Sequence, residues 1–93
     1  MIISFASKDT ERIWNGEFVK RIPGPIQEVA RRKLRMLNSS QDISDLRIPP
    51  ANRLEKLRGD LKDYYSVRIN DQWRVIFKWQ NGNASEVLIL DYH

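Results

Sequence analysis

The sequence has no cysteine, a single histidine (His93), four glycines, four prolines and no long apolar run. Each of these scarcities removes a class of chemistry. Without thiols there is no disulfide staple, no thiolate zinc site and no cysteine nucleophile, which suits a reducing cytoplasm. A membrane span needs about 18 or more consecutive apolar residues, and no stretch approaches that. Charge arrives early, at Lys8, Asp9, Glu11 and Arg12, unlike the apolar core of a signal peptide. With one imidazole, no mechanism that needs two histidines is open. Repeats, low-complexity segments and linkers are also missing, so the chain is expected to form a single domain, 1–93.

What the sequence does have is arginine. The 41% hydrophobic and 30% charged composition lies in the globular range, and Lys plus Arg exceed Asp plus Glu to give a formal charge of +4. The excess is regional. Residues 12–35 carry seven bases and two acids, whereas residues 36–93 balance at eight of each. A basic helical face points either to a polyanionic partner or to an ordinary solvated surface.

Local pattern divides the chain into a helical front and a β back. Ile2–Phe5 reads as a short first strand. Ser7 or Asp9 can cap a short helix that carries Ile13 and Trp14 and ends at Gly16. Pro23-Gly24-Pro25 marks a turn, with Pro25 suited to the first position of a second helix over about 25–38. On that helix Ile26, Val29, Ala30, Leu34 and Leu37 form one stripe at 3.6-residue spacing, and Arg31, Arg32 and Arg35 project elsewhere. Lys33 falls inside the apolar stripe, either snorkelling to water or reaching a functional cleft. Asp42–Leu46 can form one more turn, and Pro49-Pro50 predicts an extended stretch.

Beyond residue 53, Tyr65, Val67 and Ile69 alternate with polar residues, as do Trp73, Val75, Phe77 and Trp79. Asn81-Gly82 is a hairpin signal, because a tight type I′ turn needs positive φ at both positions. A two-residue loop there sets Gln72 opposite Asp91, Arg74 opposite Ile89 and Phe77 opposite Glu86. A three-residue loop at Asn70–Gln72 aligns the other two apolar rows and sets Arg68 across from Arg74. One face of the sheet is then apolar and covered by helices. The other gathers Arg68, Arg74, Asp91 and, if the strand stays regular, His93; Tyr92 falls on the helix side. Guanidinium groups bind phosphate bidentately and stay charged, and an imidazole moves protons near neutrality, so this face has the ingredients of phosphodiester chemistry. It is equally the description of a solvated face with a frayed end. Trp14, Trp73 and Trp79 are expected as core anchors. Tyr65 continues the apolar row, and Tyr64 is either an exposed ring or a base-stacking one.

The segments Asn52-Arg53-Leu54-Glu55-Lys56-Leu57-Arg58-Gly59-Asp60 and Tyr65-Ser66-Val67-Arg68-Ile69-Asn70-Asp71-Gln72-Trp73-Arg74-Val75, with the ending Asp91-Tyr92-His93, resemble the HigB toxins of the RelE/ParE superfamily. Met1–Phe5 and Arg32-Lys33-Leu34 fit as well, so the likeness covers nearly the whole chain. The resemblance implies an α+β, RelE-like fold with two N-terminal helices on one face of a small, mainly antiparallel sheet. It implies a ribosome-dependent mRNA endonuclease that needs no metal or cofactor, in which the ribose 2′-hydroxyl attacks the adjacent phosphate. The implied partners are the bacterial ribosome and its messenger and a HigA-like helix-turn-helix antitoxin, with operator DNA contacted only through the antitoxin and no membrane. By matching position, Arg74 is the phosphate-stabilising arginine and Asp91, Tyr92 and His93 the terminal catalytic group. Some relatives carry a histidine where this chain has Glu55. Glu55 then either replaces it as proton acceptor, orients His93, or pairs structurally with Arg53 or Arg74. Lys56, Arg58, Lys62, Arg53 and Arg68 are expected to contact RNA backbone. Two other readings remain: a non-cleaving toxin of the same scaffold that inhibits DNA gyrase, and an RNA-binding module without chemistry.

Overall fold

In the computed structural model, which describes residues 1–92, helix α1 (Lys8–Trp14) begins at Ser7, whose hydroxyl accepts the Thr10 N–H at 3.1 Å. Of the two expected caps, Ser7 is the one used. Asn15 closes the helix and Gly16 turns the chain away at φ +87°. Helix α2 (Gly24–Ser39) starts at Pro23 with Pro25 in its first turn, and it buries Ala30, Leu34 and Leu37 completely. Each fully buried leucine of that stripe stabilises the fold by roughly 1.5–3 kcal/mol.

Two polar side chains tie the helices together through bonds that pattern alone did not show. Gln27 is buried; its amide donates to the Val19 and Ile22 carbonyls and its oxygen accepts the Val19 N–H, fixing the loop between α1 and α2. Arg31 is half-buried rather than fully outward. Its Nε donates to the Ile13 carbonyl at 2.9 Å, at the C-terminal end of α1 where a cation is favoured. Only Arg32 and Arg35 of that trio are exposed.

A 3₁₀ turn over Ile43–Arg47 follows, opened by a reciprocal cap between Asp42 and Asp45. Two backbone N–H groups, of Asp42 and then Gln41, donate to the Asp45 carboxylate and lower its pKa. The Pro49-Pro50 segment is not simply extended: Pro50–Asn52 coils into a second 3₁₀ turn, and Arg53 leaves it in the left-handed region at φ 46°. The fully buried Asn52 side chain organises this turn. Its amide donates to the Leu46 carbonyl and the Met36 sulfur, both at 3.1 Å, and its oxygen accepts from Lys33.

The sheet is a meander of β1 (Glu55–Lys56), β2 (Tyr65–Arg68), β3 (Trp73–Gln80) and β4 (Asn83–Asp91), antiparallel throughout. Ile2–Phe5 does not form a regular strand. It runs parallel to β4 and touches it in two isolated bridges, Ile2 with Ala84 and Phe5 with Val87. The core lies between the helices and the sheet face bearing Val67, Trp73, Val75, Phe77, Ala84, Val87 and Ile89. Trp73 is buried in it, while Trp14 and Trp79 pack against it half-exposed.

Both hairpins turn where expected. Ile69 bonds back to Trp73, and Val67 faces Val75 and Arg68 faces Arg74. At the second turn Asn81 and Gly82 both have positive φ, and a Cβ on Gly82 would come within 3.3 Å of the Gln41 carbonyl oxygen. Gln80 faces Asn83 and Lys78 faces Ser85, as a two-residue loop requires. The expected register then fails, because β4 carries an extra residue at Glu86, whose φ is +51°. Strict pairing would set the Glu86 carboxylate against Phe77, inside the core. A left-handed residue costs about 1–2 kcal/mol, less than burying an unpaired carboxylate, so the strand bulges and Val87 takes the inner place. Beyond the bulge Trp73 faces Asp91 and Arg74 faces Leu90, in place of the Gln72–Asp91 and Arg74–Ile89 pairs read from the turn.

The second sheet face also has a buried patch. Ser66 and Ile76 pair across β2 and β3 and are both 1% exposed. The Ser66 hydroxyl is the one buried side-chain polar atom without a hydrogen-bond partner among the described residues. Ser66→Ala is expected to raise stability by about 1 kcal/mol, by removing a desolvated and unsatisfied group. A later urea midpoint at unchanged slope checks this.

Candidate functional site

Alternation along β3 puts Arg74, Ile76 and Lys78 on the face turned away from the helices, and β2 contributes Ser66 and Arg68 to the same face. Glu55 joins them through its pairing with Ser66. The bulge decides which terminal residue meets the arginines. Because Arg74 faces Leu90, Tyr92 rather than Asp91 continues the row, and the Arg74 guanidinium stacks over the Tyr92 ring at 5.5 Å from its centroid. Asp91, expected beside Arg74, is turned off by one position; it is exposed and accepts a hydrogen bond from Gln72 Nε2 at 3.1 Å. His93 lies outside the described residues.

The two facing arginines are each held by the loop that joins their strands. Arg74 donates to the Asn70 carbonyl at 2.7 Å, and Arg68 pairs with the Asp71 carboxylate. Asn70 in turn accepts the Gln72 and Trp73 N–H groups on its side chain, an Asx turn that shapes the loop. The hydrogen bond from Arg68 and its charge, with Arg53 and Arg74 further off, pull the Asp71 pKa below its ordinary value. Asn70 and Asp71 read as turn residues in the sequence, and nothing there showed that they also orient the arginines.

The other expected residues converge from the opposite edge. Glu55, Lys56, Leu57, Arg58 and Tyr92 line a shallow cleft of about 410 Å³. Glu55 is exposed and, among the described residues, makes no ion pair with Arg53 or Arg74, so of its alternative roles the structural pairing is not formed. Arg58 caps the 3₁₀ turn Gly59–Leu61 and is exposed. Lys62 is exposed at the other end of that turn, where its carbonyl accepts from Lys56 Nζ. Lys33 is half-buried; it donates to Asn52 and supports the turn that carries Arg53 towards β1. Burial, and then the neighbouring charges of Arg32 and Arg68, lower its pKa. Among the described residues no three His, Cys, Asp or Glu groups come together to hold a metal ion.

Chemically, this is a concave cationic face with a phenol and a carboxylate at its rim. Arg74 commits one N–H to Asn70, leaving the rest of its fork for an anion such as a phosphate. Tyr92, 41% exposed, can donate or accept a hydrogen bond beside it.

Comparison with known proteins agrees with this architecture. The solved YoeB–YefM complex from Staphylococcus aureus contains a chain that superposes with a TM-score of 0.63 at 16% identity, covering 100% of this chain and 98% of that one. Toxin HigB-1 of Vibrio cholerae is 44% identical over 85 residues, 90% of each chain. Endoribonuclease HigB of Proteus vulgaris is 26% identical over 93 residues, the whole of both. A family profile described as the RelE-like toxin of type II toxin–antitoxin system HigB matches residues 3–93, and the chain belongs to this HigB-like toxin family.

Proposed function

We propose that the protein is a growth-arresting cytoplasmic endoribonuclease that cleaves messenger RNA on the translating ribosome. The observation that carries this reading is the Arg74–Tyr92 stack beside Arg68, opening on the cleft of Glu55, Lys56 and Arg58. A relative named as an endoribonuclease aligns over the full length.

In this reading the 2′-hydroxyl oxygen attacks the adjacent phosphorus and the 5′-oxygen leaves, giving a cyclic phosphate. Arg74 and Arg58 neutralise the charge that grows on the phosphoryl oxygens, which is the role an arginine fork performs without any metal. Tyr92 donates to the same oxygens. Glu55, carrying no ion pair among the described residues, takes the 2′-proton, and His93 supplies a proton to the leaving oxygen, assisted by Asp91. Arg53, Arg68, Lys56 and Lys62 bind flanking phosphates or ribosomal RNA, contacts that position the molecule without reading sequence. A HigA-like antitoxin neutralises the protein.

Mapping messenger 5′ ends after induction tests this. Wild type is expected to produce new ends within codons of a translated message and none when its start codon is removed, and His93→Gln is expected to lose both the cuts and the growth arrest. Undiminished cutting by His93→Gln would remove that residue from the chemistry. Arrest with a DNA-damage response and no cuts would replace the nuclease by a gyrase inhibitor.

A further inference from the structure

The site just described ends at Lys56, but the trough does not. A second depression of about 380 Å³ continues from the same side chain and is lined by Lys56, Asp63, Tyr65, Lys78, Trp79 and Gln80. We propose that this depression is a second RNA subsite, which takes the backbone and one base of a nucleotide flanking the scissile phosphate. The proposal rests on the ribonuclease reading and extends it.

Position supports this first. Lys78 lies four residues from Arg74 on the same face of β3, so their Cα atoms stand about 13 Å apart along the strand. That is too far for one phosphate and suits successive phosphates of a strand running across the face. Lys56 lines both depressions, so the two adjoin at that side chain.

Chemistry supports it as well. The Lys78 ammonium sits 5.4 Å from the centroid of the Tyr64 ring, and that of Lys56 sits 5.3 Å from the Tyr65 ring. Neither lysine forms a salt bridge among the described residues; Lys56 donates to the Lys62 carbonyl only. Ammonium groups without a counter-ion, each against an aromatic ring and on an open surface, are how sequence-tolerant single-strand binders hold a backbone and stack its bases. Asp63 is the single carboxylate in the lining, against the two ammonium groups of Lys56 and Lys78. The half-buried Tyr64, read from sequence as either exposed or base-stacking, is thereby a ring already held in place by a cation.

Fluorescence anisotropy with labelled single-stranded RNA of three and of eight nucleotides, titrated with salt, tests the assignment. The wild-type protein is expected to prefer the longer RNA. Lys78→Gln should weaken the eight-nucleotide complex about tenfold, leave the three-nucleotide complex unchanged, and reduce the salt slope by about 0.7, the loss of one phosphate contact. Tyr64→Leu should weaken the longer complex without changing the slope, and Lys78→Arg should restore binding, which a general loss of structure would not allow. If Arg74→Ala weakens both RNAs while Lys78→Gln behaves as wild type, the subsite is refuted and the nuclease reading stands. If the wild type binds neither RNA, the subsite is refuted, and the nuclease reading is judged separately by the mapped messenger ends. If Lys78→Gln instead weakens only the complex with an acidic protein partner, the depression is a protein-docking site and the proposal is overturned.

Discussion

Arg74→Ala is expected to lower messenger cleavage by about 10²–10³-fold, the usual effect of deleting one preorganised donor to a developing oxyanion. The fold should barely notice. Arg74 is half-buried, gives one hydrogen bond to the Asn70 carbonyl, and directly faces another arginine. Its removal loses that bond and the stack on Tyr92, together about 1–2 kcal/mol, and relieves the repulsion from Arg68. Arg74→Lys separates charge from geometry. It keeps the cation but loses the planar fork that reaches Asn70 and a phosphate together, so it should recover only a small part of the activity. The measurement is the cleaved fraction of a defined message in a reconstituted translation reaction, with far-ultraviolet dichroism and the urea midpoint as checks on folding. Activity of Arg74→Ala within threefold of wild type would move the phosphate site elsewhere on this face.

The contrast between Arg74 and its neighbours shows what a sequence can and cannot disclose here. The Arg68–Arg74 pairing was legible, because the loop length that aligns two apolar rows leaves one register only. The identity of Arg74's terminal neighbour was not. It depends on a bulge at Glu86, a residue type with no preference for positive φ, in a strand end apolar on both faces. One signal was present all the same: the regular register drove a glutamate against Phe77 in the core, a conflict that a bulge resolves. Had that conflict been used, Tyr92 would have been set beside Arg74 and Asp91 displaced. The stripe of α2 announced itself through repeated spacing, whereas Gln27, Arg31 and Asn52 act through single side chains that bond to distant backbone, and no periodicity encodes such contacts. The family likeness covered the site residues by position, yet it could not say that Glu55 stands without an ion partner among the described residues or that Lys56 bridges two depressions.

Asn52→Ala should cost about 3 kcal/mol of stability. The side chain is 0% exposed and ties its own turn to two other elements. Its amide holds the Leu46 carbonyl of the first 3₁₀ turn and the Met36 sulfur of α2, and its oxygen takes the Lys33 ammonium at 2.5 Å. Truncation leaves a buried carbonyl without its donor and a half-buried cation without its acceptor, and it opens a small void. A chain of this length has only about 5–14 kcal/mol in total, so the loss is a large share. It also reaches the site: Asn52 precedes Arg53, held at φ 46°, and Glu55 begins β1 two residues later, so a loosened turn misplaces both. Lys33→Met removes only one of the Asn52 side-chain bonds and should cost about 1 kcal/mol. The double variant Lys33→Met/Asn52→Ala should be less destabilised than the two losses added together, because the unpaired ammonium that made Asn52→Ala costly is gone. Urea denaturation of the four proteins gives the coupling directly. Simple additivity would show that Lys33 and Asn52 do not depend on one another, and that the Leu46 and Met36 bonds of Asn52 hold the turn without help from Lys33.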